Sequence, residues 1–548
     1  MKRWLALALL LIPLAAYAQP RWAQFQVAGP PDDHPFTPLH TYFMAPNGND
    51  SCNGTTTTIG TSGNCAWLTP DHTGLVCGDV IIAQVGAYPA AGMGINNSPS
   101  GCPSSSGGID GLGQIYFVTV VCVQAFACTL NSTAGGGNGA IDISANNWSF
   151  QGWQVTTTNK RAFCYYADGG FSTSIRFHHI AFINDICVDA GNGFVSGDNG
   201  QNTLIPGNGI DQFAVVGSLT WNANQRNDFP SASIVAVGPA NVDNSPGTHI
   251  LFNGNFAINN SVPIGNGSVS DLEGFMFDTP EVHAYTGQTV MKNNVVYNSS
   301  WAGIQLFSQN IHSVTIDVEI AQNTIFNNGV CIPTGFNGNF NTGELNIELD
   351  GNFPWTVNIS NNIIRSGQVH LGCAGTTGAP MYAILMGSTS HANPPTPTVI
   401  TGGTGKENIL FALQPGCPGT PANCVTLFDN YTVSGPNTYT DPLFTNTTDL
   451  LANHLTQPNC TGFSDVAACM GWNYALQTAS SLSVIADLTP TCGASCTGKG
   501  YQPPKPCAVD VLYPTYLKGV VYHQVNGGFS NTATVTEKAG LVNKPCGM

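Results

Sequence analysis

The 548-residue chain carries 31 acidic against 15 basic residues, a net charge of -16, and only 8% of its residues are charged. That balance excludes a nucleic-acid binder, which needs basic stripes to neutralise phosphates, and the low charge asks for a fold coated with neutral polar side chains. The 18 cysteines, even in number and without a CxxC pair, argue for an oxidising compartment and against a zinc site.

The chain opens on a leader. Lys2 and Arg3, the apolar run from Leu5 to Ala16 and the small-residue end Ala16-Tyr17-Ala18 read as a secretory signal peptide over residues 1–18, cut before Gln19. Losing Lys2 and Arg3 takes the net charge from -16 to -18. The apolar run is too short to cross a bilayer and no second one follows, so the expected product is secreted, or periplasmic in a bacterium, without a membrane span. Residues 19–90 are read as an N-terminal segment and entry cap of the solenoid, the cap itself running from Thr41 to Asp50, through a Cys-bounded loop, to Cys77 to Ala83 and Gly86 to Tyr88.

From Trp148 to Arg365 one phrase recurs: a strand with one apolar parity, running into a turn. Its turn position is assigned to Trp153, Ile180, Ser218, Asn255, Asn294, Asn323 and Asn362, and the residues three earlier are Phe150, Phe177, Val215, Phe252, Met291, Ile320 and Ile359. A period of two with one buried parity predicts strands. The recurrence, about 28 residues with optional insertions of about ten, predicts a solenoid. Without helical periodicity the fold class is all-β, a parallel β-helix over 91–445, with Asn294, Asn323 and Asn362 stacked as a ladder of amides. A second strand follows in each coil, from Phe163 to Tyr166 in the first of these coils to Tyr382 to Met386 in the last, and the insertions fall mainly in the turn before it. Loops emerging at one corner of successive coils would wall a groove suited to a long polymer.

After about residue 400 the pattern fades into Pro-, Thr- and Cys-rich sequence, and residues 446–548 are read as a disulfide-stapled C-terminal cap region. Spacing suggests the bridges Cys52–Cys65, Cys122–Cys128, Cys164–Cys187, Cys417–Cys424, Cys460–Cys469, Cys492–Cys496 and Cys507–Cys546. Sequons at Asn131, Asn298 and Asn446 would be used only in a host with that machinery.

The opening Tyr42-x-x-x-Pro46-x-Gly48-x-Asp50, then Gly78-Asp79-x-Ile81 and Gly86-x-Tyr88, with the later strings Lys292-Asn-Asn-Val-Val-Tyr-Asn298 and Gln322-Asn-Thr-Ile-Phe-Asn-Asn328, resembles right-handed parallel β-helix proteins of the pectate-lyase-like superfamily. The resemblance covers about residues 41 to 445. It implies a polysaccharide as partner and calcium as a cofactor in lyase chemistry on acidic glycans.

The densest ionisable cluster is Asp271, Glu273, Asp278, Glu281 and His283. Asp271, Glu273 and Asp278 offer hard oxygen ligands for calcium. Elimination needs the uronate carboxylate neutralised, a base for the neighbouring proton, and an acid or water for the departing oxygen. Arg226, His283 and Lys292 are the candidate bases, although an arginine base needs unusual surroundings and Lys292 also reads as a solvated strand residue. Gln225, Asp228, Glu281, Gln305 and Glu348 are the candidate substrate contacts. His178 and His179 read as structural. The leading expectation is therefore a monomeric, secreted, calcium-assisted polysaccharide lyase. Two alternatives stand beside it: a glycoside hydrolase using two carboxylates, Glu273 with Asp278 or Glu344 with Glu348, and a non-catalytic glycan-binding matrix protein. The string Asp271-Leu-Glu-Gly274 departs from the superfamily's Asp-Gly-Phe pattern, and the strong negative charge opposes a polyuronate.

Overall fold

The computed structural model describes residues 38–103, 116–133, 139–158, 162–168, 176–198, 209–223, 232–237, 247–260, 273–279, 287–308, 317–329, 342–349, 356–366, 381–387, 398–412, 417, 424–427, 432–442, 459–461, 466–470, 499–500, 521–525 and 528–533. Three long sheets dominate them, one of 12 strands and two of 10, every neighbouring pair in them parallel. Each coil visits the sheets in a fixed order, for example Thr248–Asn253 in the first, Phe256–Ile258 in the second and Phe275–Thr279 in the third. The next coil repeats it with Gln288–Lys292, Val295–Tyr297 and Ile304–Ser308. This is a right-handed parallel β-helix, the hand that twisted strands impose on parallel crossovers. The stack begins inside the segment read as entry cap, since Thr41–Met44 pairs with Val80–Ala83 in the first sheet.

Alternation fills the cylinder. In the first sheet Phe252, Met291, Ile320 and Ile359 stand in register on successive coils and are fully buried. They meet Phe275, Phe277, Ile304 and Leu306 of the third sheet and Val296 and Ile325 of the second in one continuous core. Stacked rings, such as Phe150 on Phe182 at 6.4 Å, fill its wide upper coils.

The corner between the first and second sheets is tight, and an amide ladder holds it. The backbone amides of Asn255, Asn294, Asn323 and Asn362 each donate to the Oδ1 of the next coil's asparagine at 2.8 to 2.9 Å, and Asn408 passes the pattern on to Asn437 at 3.3 Å. Each side-chain nitrogen donates back to a carbonyl of the coil before, as Asn294 does to Phe252 at 2.9 Å. Ser218 joins by donating its amide to Asn255 Oδ1 at 2.9 Å. In the coil above, the position belongs to Asp185, whose Oδ1 accepts the Trp153 amide at 2.8 Å and whose amide donates to Ser218 Oγ at 3.1 Å. The assignment of Ile180 to this column is thereby corrected by five residues. Ile180 instead lies beside Trp148 and Phe213. His179 takes a left-handed backbone, φ 55°, which interrupts the period-two reading of the eight-residue strand Arg176–Ile183.

Five of the expected bridges are present: Cys52–Cys65, Cys122–Cys128, Cys164–Cys187, Cys417–Cys424 and Cys460–Cys469. A sixth, Cys77–Cys102, was not expected. The pairs Cys492–Cys496 and Cys507–Cys546 lie outside the described residues. Residues 460, 466–470 and 500 of the C-terminal region lie along the flank of the solenoid. Val466, Met470 and Cys460 pack on the outer side chains of the second sheet, among them Trp221, Tyr297 and Phe326. The Val466 amide donates to Asn184 Oδ1 at 2.9 Å, and the Gly500 amide to the Asn361 carbonyl at 2.7 Å, several coils further on. Asp441 accepts from Arg365 at 2.9 and 3.3 Å, and that guanidinium stacks between Phe326 and Phe411.

Candidate functional site

Long connections border the third sheet on both edges, whereas Asn293 and Asn294 alone join Gln288–Lys292 to Val295–Tyr297. The third sheet is therefore the one that the longest connections enter and leave in chain order. In its middle coils six side chains form a patch of two rows across three strands. Met276, Gln305 and Asn346 are register partners, and so are Asp278, Phe307 and Glu348. The intervening Phe277, Leu306 and Ile347 point into the core, so both rows point outward.

The rows differ in cover. Met276 and Gln305 are each 5% exposed and Asn346 is fully buried, while Asp278, Phe307 and Glu348 are half-buried. Phe307 rests on Met276 and Ala232. Strand spacing of about 4.8 Å puts the Asp278 and Glu348 backbones about 10 Å apart, with the ring of Phe307 between them. Asn346 is held by the Gly343 amide, which donates to its Oδ1 at 2.7 Å. The carboxamide oxygen of Gln305 is buried without a hydrogen-bond partner.

The other expected site residues separate. Glu273 is 1% exposed and sits at the corner before the third sheet, its carbonyl accepting from Ser233 at 3.0 Å. Asp278 lies five residues on, about 16 Å along an extended chain and on the opposite parity. Glu273 and Asp278 therefore face different ways, and Asp271, the third member of the expected calcium set, lies outside the described residues. Among the described residues no group of three or more His, Cys, Asp or Glu has metal-binding geometry. Glu344 is buried and accepts from the amide and side chain of Asn328, the latter at 2.7 Å, so it closes a turn and is corrected as a partner for Glu348. Lys292 is half-buried on the first sheet, in register with Asn253 and Ala321, away from the Asp278 row. Gln225, Arg226 and Asp228 lie outside the described residues, as do Asp271, Glu281 and His283. In chain order Gln225 to Asp228 and Asp271 precede third-sheet strands, whereas Glu281 and His283 follow one.

Sequence reading passed over two features. Phe307 was unremarkable until the register placed it between two carboxylates. On the first sheet, Asp211 and His249, both fully buried, form a 2.6 Å pair, next to His178 and His179, whose Nδ1 atoms lie 2.9 Å apart. Asp211 is the register partner of His178. His179 stacks on Tyr116 at 5.4 Å, a packed environment in keeping with the structural reading of the two histidines.

No protein-family profile matches this chain, and no curated protein matches it. Among solved structures the chain is similar to a pectate lyase, at 15% identity and TM-score 0.37, over 78% of this chain and 88% of that one. A rhamnogalacturonan lyase aligns at 11% identity and TM-score 0.35, over 84% and 99%. A mannuronic acid-specific family 6 polysaccharide lyase from human gut microbiota aligns at 10% and 0.28, over 72% and 82%. The class assignment, a right-handed parallel β-helix, stands on the three parallel sheets themselves. No helix among the described residues is long and apolar enough to cross a membrane.

Proposed function

We propose that this protein is a secreted polysaccharide-degrading enzyme whose glycan lies across the outer face of the third sheet and is cleaved between Asp278 and Glu348. The observation that carries the reading is the in-register row Asp278, Phe307, Glu348. An aromatic face beside a few convergent polar groups is the usual make-up of a ligand site. Two carboxyl groups set apart by about 6.5–9.5 Å leave room for a water between them and the sugar, and side chains rising from strands about 10 Å apart suit that range. One carboxylic acid gives its proton to the bridging oxygen as the bond from C1 breaks. The other, as carboxylate, takes a proton from water as the water oxygen bonds to C1.

Calcium-assisted β-elimination is the second reading. It is favoured by the chain positions of Asp271, Glu281 and His283, which flank the strand Phe275–Thr279 that bears Asp278. In that chemistry calcium would neutralise a uronate carboxylate; Asp278 is the described residue available to it, and Arg226 or His283 would take the proton. Digesting a panel of polysaccharides separates the two readings. Hydrolysis gives saturated products that survive chelation of the metal. Elimination gives products absorbing in the ultraviolet and stops when calcium is removed. Tight retention on a polysaccharide with no cleavage would instead indicate a binding protein.

A further inference from the structure

We infer that the outer face of the second sheet is the docking surface for the chain's own C-terminal region, residues 459–500, which runs along it as a strap from the coil of Ile186 to the coil of Ile363. This holds whatever ligand the third sheet takes. The first observation is a change of character within the second sheet. Its strands alternate, with Val155, Cys187 and Ala257 in the core and their neighbours facing outward. In the strands Cys128–Ser132 and Trp153–Thr157 the outward pairs are Thr129 with Asn131 and Gln154 with Thr156, all polar and exposed or half-buried. From the next coil onward they are Ile186 with Val188, Leu219 with Trp221, and Phe256 with Ile258, stacked in register. None of these six is more than 3% exposed. Large apolar side chains that face outward and yet meet no water have a layer over them.

The second observation is that the C-terminal region touches this face at two places far apart. At the upper one, Cys460, Val466 and Met470 pack into the apolar cluster of the sheet, and the Val466 amide donates to Asn184 Oδ1 at 2.9 Å. That is the coil in which the apolar face begins. At the lower one, the Gly500 amide donates to the Asn361 carbonyl at 2.7 Å. Asn184 and Asn361 hold equivalent left-handed positions, φ 55° and 56°, each just before the ladder column. Gly500 is itself left-handed, φ 69°, and a Cβ on it would lie 2.7 Å from Thr324 Oγ1 and 2.8 Å from Ile363 Cδ1. The chain therefore rests directly on outward side chains there, where glycine is required. Lys499 adds an ion pair to Glu407 at 3.5 Å, in the following coil. From Ile186 to Ile363 the register passes through Leu219, Phe256, Val295 and Thr324, a span of about 24 Å at the usual strand spacing. Residues 471–498 join the two anchors and could reach about 95 Å if fully extended, so the connection is long enough to cover the face as well as cross it.

The test uses the full-length protein with a photo-reactive benzoylphenylalanine in place of Phe256 or of Tyr297, irradiated and mapped by mass spectrometry. The strap predicts cross-links to residues 471–498 of the same chain, and none to them from a probe in place of Thr156, which lies above the upper anchor. Links to residues 19–37, to residues beyond 500 or to a second copy of the chain would overturn the inference, as would no link at all. A second measurement needs no bulky probe. Carbene footprinting compares the parent with Val466→Asp, which sets a charge into the upper anchor, and with Gly500→Val, which the left-handed backbone and Ile363 oppose at the lower one. Labelling of Phe256 and Ile258 should rise severalfold in each variant, while that of Asn131, already exposed in the parent, stays the same. Unchanged labelling of Phe256 and Ile258 in both variants would show that something other than the strap covers the face.

Discussion

Replacing Asp185 by asparagine should stabilise the protein, and by more as the pH rises. Asp185 occupies the ladder column in which Asn255, Asn294, Asn323 and Asn362 follow. It is fully buried, and burial pushes its carboxyl well above the ordinary range, against the opposing pull of the Trp153 amide and other hydrogen bonds. Its Oδ1 accepts from Trp153, and the Tyr165 hydroxyl lies beside the carboxyl group without a hydrogen bond of good geometry to Oδ2. The nearby phenol of Tyr165, itself pushed up by burial and then by the charge of Asp185, is also without a well-formed hydrogen bond. An asparagine would put an amide where Oδ2 stands. By the pattern of Asn255, whose side-chain nitrogen donates to Val215 at 2.8 Å, that amide would reach the carbonyl three residues before Trp153, at Phe150. A protonated Asp185 donates its own O–H from the same place, so where it is protonated in both states the exchange is worth no more than about 1 kcal/mol.

Ionisation adds to this with a definite sign. The unfolded chain loses the Asp185 proton from about pH 4, while the folded protein keeps it to a higher pH. Between those two values the folded state binds more protons, so the parent loses about 1.4 kcal/mol of stability for each pH unit from this group, and levels off above the folded value. Asp185→Asn has no such term. Thermal unfolding of both proteins from pH 3.5 to 8 should show the variant more stable throughout, with a gap that widens from about pH 4 upwards. A variant less stable than its parent, or a gap constant with pH, would refute the assignment of Asp185 as a protonated ladder residue.

Breaking the ladder should cost far more than an ordinary surface change. Asn294→Ala removes the acceptor of the Asn255 amide and the donor to Phe252 and is expected to cost about 4 kcal/mol, read as a lower urea midpoint. Asp441→Ala strands the guanidinium of Arg365, whose side chain is 8% exposed against 26% for Asp441. The expected loss is about 2 kcal/mol, less than for a sealed pair because water reaches the carboxylate and the rings of Phe326 and Phe411 remain. Asp278→Asn and Glu348→Gln should each lower turnover about a hundredfold or more while leaving the melting temperature within about 1 °C of the parent; equal activity in either variant would remove that carboxylate from the mechanism.

Much of the cylinder is legible in the amino-acid string because its rules are local. Alternation puts Phe252, Met291, Ile320 and Ile359 inside, and short cysteine spacings give Cys122–Cys128 and Cys417–Cys424. Cys77–Cys102 has 25 residues of separation and no such signature. Ile180 was misplaced because the left-handed backbone at His179 shifts the parity that the reading relied on. The site was harder for a geometric reason. In a solenoid, residues close in sequence can be carried to opposite faces by one corner, as Glu273 and Asp278 are. Residues a full coil apart are meanwhile brought together, as Asp278, Phe307 and Glu348 are.

The most direct test is the crystal structure of Glu348→Gln soaked with an oligosaccharide of the polysaccharide that the parent degrades. The account requires the sugar chain on the third sheet, a ring over Phe307, and the scissile oxygen between positions 278 and 348. An oligosaccharide bound along the first or second sheet, with the Asp278 row bare, would contradict it.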